Sequence, residues 1–179
     1  NADLVQILDL GEQALTGIFP SRRDQPIESG PLRLFKCVGS ESCGLVQLGC
    51  SFDPNLMYGA NYGYRSSLNA SMAQHLHRKV ERVRSIAPLC DGDLVVDVGS
   101  NDGTTLAGYP SGKYDLVGVD PAADKFRKYY PPQVELISDF FSRDVLRKKL
   151  GNRRARVVTS FAMFYDLEEP LSFMSDVLG

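Results

Sequence analysis

The sequence predicts an α/β fold, in which a parallel sheet of about four strands follows a small strand-and-loop module and a linking helix. Three observations support this prediction. Apolar segments alternate with helical segments after residue 89, whereas the first 52 residues contain short apolar runs broken by glycine and proline. Between these two regions, apolar residues recur every three or four positions, which is the spacing of one helix face.

Length and composition are those of an ordinary globular protein. The chain has 179 residues, of which 43% are hydrophobic and 23% charged, and its net charge is −2. This charge provides no general basic field for nucleic acid or an anionic membrane, so neither is expected as a partner. The sequence contains no run approaching the roughly 20 apolar residues of a membrane span and no signal-peptide pattern at its start. We therefore expect a cytoplasmic location.

Residues 1–52 are predicted to form the small module. Short apolar runs at 4–8, 32–35 and 45–48 are separated by glycines and by a polar stretch at 20–30. A unit of this size needs a metal ion or a neighbouring domain to be stable. The four cysteines, at positions 37, 43, 50 and 90, are unevenly spaced, and a reducing cytosol argues against a disulfide framework.

Residues 53–88 are predicted to form an aromatic hinge followed by the linking helix. The hinge reads D-P-N-L-M-Y-G-A-N-Y-G-Y-R-S-S. Ser66 or Ser67 can cap the helix, and Pro88 marks its end. Its apolar face consists of Leu68, Met72, Leu76, Val80, Val83 and Ala87.

Residues 89–179 are predicted to form the parallel sheet. Strands are expected at 94–98, 114–119, 134–137 and 156–160. Helical segments are expected just after Gly103 and at 122–130, 141–150 and 167–178. This alternation predicts right-handed crossovers between parallel strands. Four strands would leave half of an open sheet missing, so we expect this sequence to be the front part of a longer protein.

The stretch 94–104, L-V-V-D-V-G-S-N-D-G-T, predicts a nucleoside-cofactor site. An apolar strand runs through Asp97, and Gly99 and Gly103 then open a tight turn into a helix. Glycine tolerates positive φ and has no Cβ, so a ligand can approach the backbone N–H groups of such a turn.

The residues of the turn favour a cationic ligand over a dinucleotide. The G-x-G-x-x-G fingerprint of NAD-binding proteins would require glycine at 99, 101 and 104, but the chain has Gly99, Asn101 and Thr104. Asp97 and Asp102 would repel a pyrophosphate and would suit the sulfonium and ammonium of S-adenosylmethionine.

The other strand ends also carry groups suited to a nucleoside. Asp120, followed by Pro121, can accept bonds from ribose hydroxyls, Asp139 can accept from the adenine amino group, and Phe140 can cover the ring. Taken singly, such an Asp is more often an N-cap or loop residue, and Phe140 and Met163 are more often core residues. The predicted cofactor residues are Asp97, Gly99, Asn101, Asp102, Gly103, Asp120, Pro121, Asp139, Phe140, Ser160 and Met163.

Several motifs together resemble a known family. They are I-L-D-L-G-E-Q-A-L, C-G-L-V-Q-L, Y-x-Y-R-S-S, D-V-G-S-N-D-G-T, G-V-D-P and S-F-A-M-F-Y-D-L-E-E-P-L. With them, the chain resembles the class I S-adenosylmethionine-dependent C-methyltransferases of nucleotide-linked deoxysugars, which carry an N-terminal zinc-binding module. The resemblance implies a Rossmann-like sheet, S-adenosylmethionine as cofactor, a nucleotide-sugar substrate and methylation of a carbon beside a keto group through an enolate. It also implies that the main His/Glu base lies beyond residue 179.

The same resemblance implies roles for two tyrosines and two cysteines. Tyr62 and Tyr64 match the Y-x-Y motif and are catalytic candidates, although they can also simply pack the hinge. Cys37 and Cys43 are metal-ligand candidates, but five residues separate them where the family usually has C-x-x-C. The family's first cysteine pair would lie upstream, so the chain holds at most half of a tetrahedral zinc site unless Cys50 is recruited.

Three functional hypotheses follow from the sequence. The first is an S-adenosylmethionine-dependent methyltransferase, and the second is a truncated cofactor-binding fragment without turnover. The third, an NAD-binding oxidoreductase, is disfavoured by Asn101 and Thr104. The sequence does not indicate an oligomeric state.

Overall fold

The computed structural model describes residues 3–59 and 61–179. By its internal contacts the chain divides into two compact units, Asn1–Gly63 and Tyr64–Gly179. The division into 1–52, 53–88 and 89–179 expected from the sequence stays a prediction.

The first unit contains a three-stranded antiparallel sheet in the order β1–β2–β3. Its strands are β1 (Asp3–Ala14), β2 (Ser29–Val38) and β3 (Val46–Leu48), and a short helix, α1 (Pro54–Tyr58), follows. β1 is longer than the predicted run at 4–8 because the pairing with β2 shifts register between Asp9 and Glu12 and then continues. Gly11, at φ +66°, allows this bulge, and its N–H donates to Asp9 Oδ1 at 2.8 Å.

The second unit is built on a parallel sheet in the order β6–β5–β4–β7. Its strands are β4 (Leu94–Val98), β5 (Asp115–Val119), β6 (Glu135–Ile137) and β7 (Val157–Thr159). All five residues of β4 are buried, as expected for a central strand covered on both faces. The predicted α/β class and parallel sheet are confirmed.

Helices lie before, between and after these strands. They are α2 (Ala70–Ile86), α3 (Ala123–Phe126), α4 (Arg143–Leu150) and α5 (Pro170–Leu178). The short helix expected after Gly103 is a single 3₁₀ turn, Leu106–Gly108. Side chains of α4 and α5 pack onto a core formed by Leu94, Val96, Val98, Val117, Val119 and Ile137.

The start of α2 differs from the prediction. Ser66 and Ser67 belong to a separate 3₁₀ turn, Ser66–Leu68, and do not cap the helix. Asn69 is the N-cap instead, since its Oδ1 accepts the Ser71 N–H at 3.0 Å. Ala87, the residue before Pro88, is the C-cap, as the proline predicts.

Across the part of the chain that the structure describes, no helix is both long enough and apolar enough to cross a membrane.

Candidate functional site

The glycine turn after β4 is held in a left-handed conformation at three positions. Gly99, Asn101 and Gly103 have φ of +71°, +52° and +78°. The Gly99 N–H donates to Val119 O at 2.9 Å, which ties the start of the turn to the end of β5. A Cβ on Gly103 would lie 2.5 Å from Tyr130 Cδ1, so this position excludes any side chain. The turn therefore requires glycine where the sequence predicted it.

Asp120, at the end of β5, is bonded directly to the turn. Its Oδ2 accepts the Asn101 N–H at 2.8 Å, and its Oδ1 accepts the Ala122 N–H at 2.7 Å. The residue is only 8% exposed, and burial raises the pKa of its carboxyl, although the two N–H donors act in the opposite direction. The structure thus brings together two of the predicted cofactor residues, Asn101 and Asp120.

Asp97 lies inside β4 and is 2% exposed. Burial raises its pKa to about 7, against the lowering effects of hydrogen bonds from Thr159 and Thr105. The negative charge of Asp120 raises it further. The Thr159 hydroxyl donates to Oδ1 at 2.5 Å. Asp97 is therefore a buried carboxyl that loses its proton less readily than an exposed one, and a nearby cation would favour its ionised form.

Asp102 and Asn101 use their side chains to hold the backbone around residues 64–67. Asp102, 1% exposed, accepts the Ser67 N–H on Oδ2 at 3.0 Å and the Thr104 hydroxyl on Oδ1 at 2.6 Å. Asn101 Oδ1 accepts the Ser66 N–H at 2.9 Å, and its Nδ2 donates to Tyr64 O at 3.0 Å. The side chains of Asn101 and Asp102, both predicted to bind the cofactor, are thus hydrogen-bonded to other residues of the protein.

Tyr130, for which no sequence pattern predicted a role, supports the turn. Its hydroxyl donates to Asn101 O at 2.7 Å and lies 2.8 Å from Ser100 Oγ, while the residue is 8% exposed. A Cβ on Gly118 would approach both Ser100 Oγ and the Tyr130 ring, at 2.8 and 3.0 Å. The only sequence signal is a tyrosine just before two prolines, which does not indicate this partner.

The remaining strand ends hold their predicted residues in different settings. Pro121 is half-buried directly after Asp120, whereas Asp139 is exposed and accepts the N–H of Phe140 at 2.7 Å. Phe140 is 36% exposed, so it is not a core residue.

Ser160 and Met163 follow β7. Ser160 Oγ is buried and has no hydrogen-bond partner among the described residues. Met163 approaches the turn, because a Cβ on Gly99 would lie 3.3 Å from its Cγ. Between them, Ala162 has φ +55°, a strained value for a residue with a Cβ.

The two predicted tyrosines fall in different compact units. In the first unit, Tyr62 pairs with Ile18 in an isolated β-bridge, and its ring centroid is 5.8 Å from that of Tyr58. In the second unit, Tyr64 is 43% exposed and receives the bond from Asn101.

Cys37 and Cys43 are neighbours in the first unit. Cys37 is buried in β2 and Cys43 is exposed. Hydrogen bonds from the Leu45 backbone and from the Cys37 thiol hold the pKa of Cys43 below its ordinary value. A more acidic thiol suits zinc, but residues 3–59 and 61–179 contain no group of three or more metal-ligating side chains. Cys50 Sγ donates to Pro31 O at 3.2 Å and does not complete such a group.

A cavity of the second unit lies away from this edge of the sheet. Its volume is about 530 Å³, and it is lined by Leu94, residues of α4 and α5, and the segment 151–155 before β7. Leu94, Val96 and Val158 of the sheet also line it, so the cavity lies between α4, α5 and one face of the sheet. None of the predicted cofactor residues lines the cavity.

Comparisons with known proteins agree with the motifs. Residues 1–58 match a family model described as "Putative zinc binding domain". The chain is also 30% identical to the C-methyltransferase NovU of Streptomyces niveus, over 99% of this chain and 43% of that protein. The chain thus spans less than half the length of this relative. These matches agree with the resemblance to a C-methyltransferase: the chain is similar to one over nearly its whole length, and its first 58 residues match the model of a putative zinc-binding domain.

Proposed function

We propose that this chain binds S-adenosylmethionine at the carboxyl edge of its parallel sheet and serves methyl transfer to a carbon of a nucleotide-linked keto-deoxysugar. The observation that carries the proposal is the left-handed glycine turn bonded to Asp120 at the end of the next strand. In open α/β sheets, ligands bind outside the carboxyl ends of the strands. The similarity to a C-methyltransferase supports the choice of cofactor.

Two buried polar groups fit this cofactor. Asp97 carries a carboxyl with a pKa raised to about 7, and a sulfonium or ammonium nearby would offset the cost of burying its charge. Ser160 Oγ is buried without a partner in the described part of the chain, which costs about 1–3 kcal/mol unless a ligand or water supplies a bond. Both groups lie at β4 and β7, neighbouring strands of the sheet.

The nucleoside half would be held by the end of β5 and the end of β6. Asp120 is oriented by two backbone N–H donors, and each of its oxygens retains a lone pair for a ribose hydroxyl. Asp139 and Phe140 would contact the adenine amino group and the adenine ring, respectively. Met163, beside Gly99, would pack near the methionine portion.

Bound S-adenosylmethionine supplies an electrophilic methyl group on a positively charged sulfur. The chain's own contribution is to orient the nucleoside through Asp120 and to hold the turn rigid, since correct placement of reacting groups accounts for much of such a rate enhancement. Tyr64 would donate a hydrogen bond to the keto oxygen of the sugar as negative charge develops there. Tyr62, the other tyrosine that the resemblance implies, lies in the first unit, and its role stays a prediction.

Calorimetry with S-adenosylhomocysteine and NAD tests the cofactor. We expect a saturable heat with S-adenosylhomocysteine and none with NAD, because Asn101 and Thr104 replace two glycines of the dinucleotide fingerprint. Saturable binding of NAD instead, by protein whose circular dichroism shows it to be folded, would reject the proposal.

The ribose contact is tested by Asp120→Ala. We expect the dissociation constant for S-adenosylhomocysteine to rise more than about tenfold, because the variant loses an acceptor for two hydroxyls. Asp124→Asn is the matched control, since Asp124 is an exposed carboxylate of α3 that pairs with Arg127 at 2.7 Å. An unchanged dissociation constant in Asp120→Ala would reject the assignment.

A further inference from the structure

Asn101 is the most heavily bonded residue of the glycine turn. Its N–H donates to Asp120, and its carbonyl oxygen accepts from Tyr130. Its side chain makes two more bonds, accepting the Ser66 N–H at 2.9 Å and donating to Tyr64 O at 3.0 Å. The amide therefore uses both its oxygen and its nitrogen on backbone 35 and 37 residues away in sequence.

Two further contacts fix the same segment. The Ser67 N–H donates to Asp102 Oδ2 at 3.0 Å, so consecutive residues of the turn hold consecutive residues of the segment. The Arg65 guanidinium carbon lies 3.7 Å from the centroid of the Tyr129 ring. With the two bonds from Asn101, the segment 64–67 has four ties to the turn and the region after β5.

We propose that Asn101 is a positioning residue: its side chain holds residues 64–67 on the glycine turn and does not itself contact the cofactor. The inference rests on the proposed function in taking the turn as the cofactor site and Tyr64 as a substrate-side group. Because the same turn holds the segment and faces the ligand, ligand binding at the turn also immobilises the segment that carries Tyr64.

Asn101→Gly is the cleanest variant for testing this role. Glycine adopts φ near +52° without strain, so the variant keeps the backbone of the turn and removes only the two side-chain bonds. We expect the Ser66 amide to exchange its hydrogen about tenfold faster than in the native protein, since it loses its acceptor. The dissociation constant for S-adenosylhomocysteine should change by less than about threefold. Ser67, bonded to Asp102, serves as an internal reference.

Asn101→Asp tests the role by rescue. A carboxylate keeps an acceptor for the Ser66 N–H but cannot donate to Tyr64 O. The Ser66 amide should therefore retain its native exchange rate to within about threefold, unlike in the glycine variant.

Whether ligand binding immobilises the segment 64–67 is measured by the hydrogen exchange of the Ser66 amide with and without S-adenosylhomocysteine. In the native protein the ligand should slow Ser66 exchange at least about threefold, and in Asn101→Gly the ligand should bind without slowing it. Unchanged Ser66 exchange in Asn101→Gly would overturn the inference. A dissociation constant for S-adenosylhomocysteine at least about tenfold higher in Asn101→Gly would also overturn it, because Asn101 would then be a cofactor ligand. If the native protein binds no S-adenosylhomocysteine, the proposed function falls, while the ligand-free exchange rates still decide whether Asn101 holds the segment.

Discussion

The Tyr130 hydroxyl is a buried support for the glycine turn. It donates to Asn101 O and bonds Ser100 Oγ, and burial raises the pKa of Tyr130, which keeps the hydroxyl protonated as a donor. Because the single hydroxyl proton of Tyr130 is given to Asn101 O, the Ser100 hydroxyl donates to Tyr130, and Tyr130→Phe would leave one acceptor and one donor without this partner. We expect it to lower the free energy of unfolding of the second unit by about 1–3 kcal/mol, measured by urea denaturation.

Tyr109 provides the matched control. It is as buried as Tyr130, at 4% exposed, but its hydroxyl has no hydrogen-bond partner among the described residues. Removing that hydroxyl in Tyr109→Phe should change stability by less than about 0.5 kcal/mol or increase it. If the two variants were equally destabilised, loss of the hydroxyl's bonds would not be the cause.

Asp97 should make stability depend on pH. The folded protein binds its proton with a pKa of about 7, whereas the carboxyl of an unfolded chain titrates near 4. The stability that this proton provides is therefore fully present below about pH 4 and is lost as the pH rises through about 7, at up to roughly 1.4 kcal/mol per unit. Binding of a cation near Asp97 would in turn release the proton.

Asp97→Asn tests this dependence. The amide keeps an acceptor oxygen for the Thr159 hydroxyl and has no titrating group. Relative to the native protein, the variant should gain unfolding free energy between pH 4 and pH 8, by roughly 1.4 kcal/mol for each unit that separates the two pKa values. A difference between the two proteins that stayed constant over this range would show that Asp97 does not titrate there.

Residues whose role depends on the end of a single strand were predictable from the sequence, whereas hydrogen bonds between distant segments were not. Gly99, Gly103 and Asp120 were predictable because positive φ and strand-end position follow from local pattern. The bonds from Asn101 to residues 64 and 66 were not predictable, because only the folded chain brings these segments together. Tyr130 escaped notice for the same reason.

At the scale of elements, helix α2 begins directly after its N-cap residue, Asn69. Asn69 accepts both the N–H and the hydroxyl of Ser71, at 3.0 and 2.8 Å. Asn69→Ala should lower the free energy of unfolding by about 1 kcal/mol, measured by denaturation of the second unit. Ser67→Ala is the control, since Ser67 is one of the two serines predicted as a cap, but its N–H, and not its side chain, makes the bond to Asp102. If Ser67→Ala lowered the free energy of unfolding more than Asn69→Ala does, the cap of α2 would be Ser67 and not Asn69.

Element boundaries were predictable where a turn signal ended an apolar run. The prediction of β4 at 94–98 matches Leu94–Val98 because Gly99 follows its last residue. β1 was predicted too short, since a bulge at Gly11 carries the strand to Ala14 despite the glycine. The same residue type ends one strand and bends another, and the local sequence does not distinguish the two outcomes.

At the scale of the whole molecule, the two compact units differ in their cores. Among the described residues, the buried apolar side chains of the first unit are Leu15 and Cys37, whereas those of the second fill both faces of a sheet. Several apolar residues of β1 are about half exposed, such as Leu4 and Ile7, at 51% and 50%. The first unit should therefore be the less stable of the two, as the small-module prediction anticipated.

Zinc should consequently stabilise one unit and not the other. Cys37 and Cys43 are the predicted metal ligands of the first unit, hydrogen bonds hold the pKa of Cys43 below its ordinary value, and residues 1–58 match a family model described as a putative zinc-binding domain. A metal that binds only the folded state raises the unfolding temperature by mass action, so added Zn²⁺ should raise that of the first unit by about 2–5 °C. Peptide-resolved hydrogen exchange during heating measures the two units separately. Cys43→Ser should abolish the shift, and Cys90→Ser, which changes an exposed cysteine of the second unit, should retain it. An equal shift in both units, or one that survived Cys43→Ser, would mean that zinc acts elsewhere.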